Sequence, residues 1–325
     1  MRFYSIEITN PQTGEKIIPA SLGGNGITSI MPNGQTNPAA LNIELDIPFV
    51  NFAAPDNNAW LRIWGIGLQQ IGNAFDLNGM DITVSVGMSK GLPLANPAQQ
   101  GLVLSGSILQ AYGNWIGLDQ TLDFNFAPKT GIPSDPLNFS FTWQAGTPLA
   151  TAIAQTLSTA LPGMKQDIQI SPNLIISSTE TGYYQSAQQF AAFINQRSKP
   201  IIGGSYMGVQ ISTDGRTVTV WDGTAKADPK KVKAIAFQDM IGQPTWIGTN
   251  EITVKLVMRG DLNISDAINL PPSLATTTQQ ALLRFQDRTT FSGNFIITQI
   301  HHYGNFRQPD AASWNTTIYA TPQTQ

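Results

Sequence analysis

The stretch from Leu102 to Phe126 constrains the fold more than any other part of this sequence. It reads as two adjacent strands. The first has an apolar start and carries the small pair Ser105-Gly106. In the second, Leu118, Leu122, Phe124 and Phe126 fall in even steps, as a half-buried strand requires. Immediately upstream, Ile82, Val84 and Val86 alternate within Asp81–Met88 and give a third strand. Three strands in succession, broken by Gly, Pro and Asn, describe an antiparallel barrel or sandwich. None of them offers a catalytic group, and a β-scaffold without chemistry commonly serves to touch other proteins.

The remaining sequence arranges itself around that core. Within Arg2–Thr9, Tyr4, Ile6 and Ile8 alternate with Phe3, Ser5, Glu7 and Thr9, and Leu41–Ile47 places its apolar residues at odd positions. Ala59–Gly65 is a further strand, and Gln69–Ala74 a short helix before the Asn78-Gly79 turn. Near 130–136 the composition changes. Phe139–Trp143 reads as a strand, and Thr147-Pro148 as the cap and first residue of a helix with Leu149, Ile153 and Leu157 on its apolar stripe. Gln169–Ser171 and Leu174–Ser177 are expected as short extended pieces. Ser186 and Gln189 have capping-box spacing and open a second helix with Ala187, Phe190, Ala191 and Ile194 on one side. Tyr206–Ile211 and Thr217–Trp221 form a hairpin. Strands follow at Ile235–Phe237, Ile252–Val257, Phe295–Tyr303 and Trp314–Ala320, with Arg259–Pro272 as a loop. The fold class is therefore mainly β with an α/β insertion, divided into residues 1–129, 130–231 and 232–325, the two outer β-modules sharing a fold.

Charge narrows the function. Only 12 % of the 325 residues are charged, about half the roughly 25 % of ordinary soluble proteins. Neutral polar side chains must then cover the surface, which suits a subunit whose faces are used in assembly; a merely polar soluble β-protein is the plainer reading. A net charge of −3 excludes a general nucleic-acid binder, which needs clustered Lys and Arg. The one basic cluster, Lys226, Lys230, Lys231 and Lys233, reads as a solvated loop. Without cysteine there are no disulfides or thiolate metal sites. The opening residues lack an apolar signal core, and no apolar run approaches the roughly 18 residues of a membrane span. The Asn-x-Ser/Thr triplets at Asn138, Asn263 and Asn315 are then chance matches.

The order β, α/β, β resembles the baseplate hub proteins of contractile-tailed phages and related injection systems. The residues that carry the resemblance are dispersed. Asp81–Met88 followed by Gly101–Gln110 looks like a strand pair of the family's first tube domain. Phe141–Trp143 with Thr147–Leu149, Ile168–Asn173 and Gln185–Phe193 resembles its inserted domain. Ile252–Val257 with Gly260–Pro271 resembles its late β-domain, although Ser265 stands where the family pattern has glycine. The resemblance implies two barrel-like tube domains flanking a helical middle domain, and a homotrimer whose six tube domains make a pseudo-six-fold ring. Its partners would be the tail tube protein, the central spike protein and other baseplate proteins. DNA would pass through without specific binding, in a virion tail baseplate assembled in the host cytoplasm. Glu44 and Asp46, two apart on one strand face, are the pore-lining candidates; a solvated outer face is the other reading. Trp60 and Trp64 share a strand face and are the candidates for an interface anchor, with core burial as the competing explanation.

Chemistry finds little support. His301 and His302, the only histidines, point to opposite faces of a strand and cannot chelate one metal together. The carboxylate pairs Glu44/Asp46, Asp119/Asp123 and Asp214/Asp222 have the makings of a glycosidase site, but such pairs arise by chance. Gly65-Ile-Gly67 and Gly23–Gly26 lack the residues of a phosphate loop, and Gly203–Met207 lacks the second glycine of a nucleophile elbow. The expected protein is a non-enzyme without cofactor or metal. A virion-surface carbohydrate- or receptor-binding β-protein is the alternative, and a small tail-associated hydrolase a third reading.

Overall fold

Alternation of apolar and polar residues builds most of this chain, whose computed structural model describes residues 1–17, 26–49, 52, 59–89, 96–130, 136–204, 206–225, 231–271, 291 and 293–323. The first block holds β1 (Arg2–Thr9), β2 (Ile27–Thr28), β3 (Asn42–Phe49), β4 (Ala59–Trp64), β5 (Asp81–Met88), β6 (Gly101–Ile116) and β7 (Asp119–Ala127), with the short helix α1 (Leu68–Gly72) after β4. The middle contains β8 (Phe139–Trp143), α2 (Leu149–Ala160), β9 (Lys165–Gln169), β10 (Glu180–Tyr184), α3 (Ala187–Ile202), β11 (Gln210–Thr213) and β12 (Thr217–Trp221). The last block holds β13 (Lys233–Ala234), β14 (Thr245–Trp246), β15 (Ile252–Val257), β16 (Ala267–Asn269), β17 (Asn294–Asn305) and β18 (Trp314–Pro322).

The two outer blocks form one curled sheet in the order β14-β15-β18-β17-β3-β4-β7-β6-β5-β1-β2, with β16 beside β17 and β13 beside β16. Its inner face is apolar: Tyr4, Ile6 and Ile8 of β1, Ile43, Leu45 and Ile47 of β3, Leu61 and Ile63 of β4, and Val254, Leu256 and Ile318 of the last block are buried in a single core. Burying one such side chain contributes roughly 1.5–3 kcal/mol, so the period-two pattern fixes which face turns inward and, with it, the register.

The blocks repeat one another. β4-β7-β6-β5 and β15-β18-β17-β16 are the same arrangement, first strand, fourth, third, second. The match extends to single residues. In the first copy a bulge in β6 separates the pairs Ile108–Phe126 and Gln110–Asn125; in the second a bulge in β17 separates Ile297–Ala320 and Gln299–Tyr319. The turn leading into β5 places Gly79 N and Met80 O on Ile108, both at 2.8 Å, and the turn into β16 places Ser265 N and Asp266 O on Ile297 at 2.9 and 3.0 Å. The turn leaving β4 gives Gly65 N to Gln120 O, at 2.9 Å, and its counterpart gives Met258 N to Trp314 O, at 3.1 Å. The copies meet where the C-terminal part of β17 pairs with β3, from Ile300–Phe49 to Asn305–Glu44.

The middle segment has its own core, built from Phe139, Phe141, Trp143, Leu149, Ile153, Phe190, Ile194, Val218 and Val220 among others. β9 runs parallel to β12, and β8 pairs with β10. Ser186 caps α3 by accepting from Gln189 N, and the expected apolar face of that helix is buried. The segment meets the large sheet at Asp214, whose carbonyl accepts from Ser105 N at 2.7 Å, at Ile211, whose carbonyl accepts from Phe52 N at 2.8 Å, and through Trp221, which is buried in the core of the large sheet.

Several sequence expectations are corrected. Leu118 is fully exposed and lies in the turn with Gly117, so β7 begins at Asp119. Thr147 does not cap α2: Pro148 occupies the cap position, and the Thr147 hydroxyl donates to Gln144 O instead. β9 and β10 were not expected as strands; Gln169–Ser171 meets only the end of β9, and Leu174–Ser177 makes a single bridge from Ile175 to Pro148. Ile235–Phe237 follows the two-residue β13 rather than forming a strand, and the supposed loop after Arg259 contains β16. Lys226 and Lys230 of the basic cluster, most of Gly23–Gly26, and Ser205 lie outside the described residues.

Candidate functional site

The face of the sheet turned away from the core carries the polar and aromatic residues of β3, β4, β7 and β17. Alternation puts Glu44 and Asp46 on this side of β3, and Trp60, Arg62 and Trp64 on this side of β4. Register places Glu44 opposite Arg62 and Asp46 opposite Trp60. The four residues singled out in the sequence, Glu44, Asp46, Trp60 and Trp64, therefore share one patch. The two tryptophans are half-buried and flank Arg62, whose guanidinium lies 5.0 Å from the Trp60 ring centre and 5.6 Å from that of Trp64. Such contacts are each worth about 0.5–1 kcal/mol at exposed sites, and they lay both indoles along the sheet.

Arg62 anchors the patch. Its Nε donates to Asp123 Oδ1 at 2.5 Å, and the Asp123 side chain is fully buried. Asn114 Nδ2 and the Thr121 hydroxyl donate to the other Asp123 oxygen, at 2.7 and 3.3 Å. The bond to Asp123 is the first cause holding the Arg62 pKa above its ordinary value, with Asp123 and Glu44 charges adding to it. Glu44 in turn accepts from Asn305 Nδ2 at 2.7 Å, and Asp46 Oδ1 lies 2.6 Å from His301 Nε2. His302 points the other way. It is buried, its Nδ1 is 2.9 Å from the Thr316 hydroxyl, and burial pushes its pKa down to about 3.

Of the carboxylates in this patch, Asp123 is paired with Arg62 and buried, whereas Glu44 and Asp46 are held by Asn305 and His301. Both members of the pair Asp214/Asp222 hold backbone or hydroxyl groups in place. Asp222 accepts from Ser171 N and from the Tyr206 hydroxyl, at 2.7 and 2.8 Å, and burial followed by this bond raises the Tyr206 pKa. Asp214 holds the turn before β12 by accepting from Arg216 N and Thr217 N. Among the described residues, no group of three or more His, Asp or Glu is placed to hold a metal ion, and no helix is long and apolar enough to cross a membrane. Sequence reasoning missed Arg62, Asn114 and Asn305 in this patch. The signal for Arg62 was present: a cation between two tryptophans on one strand face.

No protein-family model matches the chain, and no curated protein matches it in sequence. Solved structures do. The 43 kDa tail protein of prophage MuSo2 from Shewanella oneidensis superposes with a TM-score of 0.52 at 9 % identity, covering 99 % of each chain. The tail protein from Neisseria meningitidis MC58 gives 0.48 at 9 % identity, over 98 % of this chain and 96 % of the other. The E. coli c3393 protein, a type VI secretion component with structural similarity to the T4 tail proteins gp27 and gp5, gives 0.46 at 10 % identity, over 88 % and 74 %. Identity this low relates folds rather than sites. The full-length superposition on the Shewanella protein shows that the chain shares the β-rich fold of that prophage tail protein.

Proposed function

We propose that this protein is a non-enzymatic structural hub of a phage-type tail baseplate, a homotrimer joining a hexameric tail tube to a trimeric central spike. The observation that carries the reading is the repeat of β4–β7 in β15–β18 within one continuous sheet. A chain with two near-equivalent modules presents six similar units from three copies, which is what a junction between six-fold and three-fold assemblies needs. The middle segment, with a core of its own, is free to meet the spike or neighbouring baseplate proteins. The division into 1–129, 130–231 and 232–325 belongs to this reading.

In such a ring the polar face bearing Glu44 and Asp46 lines the channel. Arg62 is already committed to Asp123 and stacked between Trp60 and Trp64. It therefore has little to offer phosphate, and DNA slides past without the counterion-releasing contacts that hold it. Trp60 and Trp64 then serve the wall more than an interface. The test is assembly. Mass photometry and negative-stain microscopy of the purified chain with its tail tube protein should show a trimer with a six-lobed ring that binds the tube. A monomer that binds glycans and ignores the tube protein overturns the hub in favour of receptor binding.

A further inference from the structure

Resting on that reading, we propose that the open edge of β6 at residues 112–114 pairs with residues 245–247 of a second copy of the chain, antiparallel and in the register that joins β17 to β3. The edge of β17 away from β18 is shared: Asn294–Ile296 carries β16, and Ile300–Asn305 carries β3. β6 is the counterpart of β17, matched through the bulges at Ile108/Gln110 and Ile297/Gln299. Its first half carries β5, and Ile108 carries Gly79 and Met80. Ala111 N then donates to Asn78 Oδ1 at 2.7 Å. Beyond it, among the described residues, no strand lies on that side of β6.

The backbone groups there face outward. Antiparallel strands alternate the side to which successive residues bond. Ala111 bonds away from β7, so Gly113 and Trp115 do too. Among the described residues, Gly113 and Trp115 meet no backbone partner on that side, and a row of this kind is a template for another strand.

The same logic identifies the partner. β3 lies beside β4 as β14 lies beside β15, with the pair Asp46–Trp60 answering to Thr245–Thr253. β14 ends the sheet, and its outer side carries no strand among the described residues. Ile247 N donates inward to Glu251 O at 3.0 Å, so Trp246 bonds outward. Transferring His301–Pro48, His302–Ile47 and Tyr303–Asp46 gives Tyr112–Ile247, Gly113–Trp246 and Asn114–Thr245 between copies. Exposed apolar side chains rim the two edges. Trp115, Ile116 and Leu118 are 62, 75 and 100 % exposed at the β6–β7 tip, with Phe75 at 71 % on the preceding connection. Ile247 and Phe237 are exposed on the other side. An exposed apolar rim of this kind marks an interaction surface, and its place beside both edges suits their pairing between copies.

The chain has no cysteine, so engineered thiols report the register without background. Tyr112 and Ile247 form the non-hydrogen-bonded pair, whose Cα atoms in an antiparallel ladder stand about 4.5 Å apart, within reach of a disulfide. The full chain carrying Tyr112→Cys and Ile247→Cys should give reducible covalent multimers on mild oxidation. Each single variant should not, and Asn114→Cys with Ile247→Cys, two residues out of register, should give at least tenfold less. If Tyr112→Cys lowers the melting temperature, Asn114→Cys with Thr245→Cys tests the same register. Oligomers by light scattering in which neither in-register pair links, or in which the shifted pair links equally, overturn the joint and leave the self-assembling hub standing. A chain that is monomeric and unlinked at every concentration overturns the joint and the homotrimer together.

Discussion

Adjacent residues of one strand can meet opposite environments, and His301 and His302 do. His301 is half-buried beside Asp46, while His302 is buried and bonded to Thr316, whose hydroxyl also accepts from Arg259 N at 2.9 Å. Burial holds the His302 pKa down at about 3, against about 6.5 in an unfolded chain. The native state thus keeps this ring neutral where the unfolded state takes up a proton. Its contribution to stability is complete above about pH 6.5 and is lost as the pH falls from there towards 3. One proton corresponds to a slope of at most about 1.4 kcal/mol per pH unit. Urea unfolding from pH 8 to pH 4 should therefore show His302→Gln destabilised at pH 8 and the gap to the parent protein narrowing with acid. A gap that stays constant across the range would mean that His302 takes up its proton as readily in the fold as in the unfolded chain.

At the scale of elements, the repeat turns on one backbone position. Gly79 and Ser265 occupy equivalent places in the turns before β5 and β16, with φ of 79° and 70°, and Ser265 is the one non-glycine residue at positive φ among those described. A left-handed conformation costs an L-residue roughly 1–2 kcal/mol, while glycine adopts it freely but is less restrained when unfolded. Ser265→Gly should raise stability by roughly 0.5–1 kcal/mol and Gly79→Ala should lower it by about 1 kcal/mol, both read from denaturant midpoints. Strands with clean alternation were legible in the sequence: Ile252–Val257 has the bounds expected for it, and β1, β3 and β5 bury the predicted faces. β9, Lys-Gln-Asp-Ile-Gln, was not legible because it has one apolar residue and owes its strand to parallel pairing with β12. The residue-level repeat was hidden for a related reason. Pairing geometry tolerates Ser265 for Gly79, Lys255 for Arg62 and Thr317 for Asp123, so the copies share a pattern and little identity. Four members of the polar patch could be named in advance from spacing, whereas Asn114 and Asn305 reach it through strand order, which no local pattern encodes.

At the scale of the whole molecule, the two cores meet at several places: on β6, at Phe52, which is buried in the middle core with its N donating to Ile211 O at 2.8 Å, and at Trp221, which is buried in the core of the large sheet. The turn Asp214–Arg216 caps the β7-side edge of β6 near its start, where Ser105 N donates to Asp214 O. Gly215 has φ +88°, and a Cβ there would overlap the Ser105 carbonyl oxygen, so no other residue allows this approach. Gly215→Ala should open the contact on β6 while Trp221 and Phe52 keep the segment in place and both cores stay intact. Hydrogen exchange is expected to quicken at Ser105 and in the turn Thr213–Thr217 by tenfold or more, while amides of β4, β7 and β15 keep their protection. Loss of protection throughout the large sheet would instead mean that the middle segment is part of one cooperative unit. The geometry separates the two uses of β6. The middle segment holds its first half on the β7 side, and the edge proposed to receive a second copy is its last half on the β5 side. Gly215→Ala should accordingly leave the Tyr112–Ile247 cross-link intact, because neither edge depends on the other being filled.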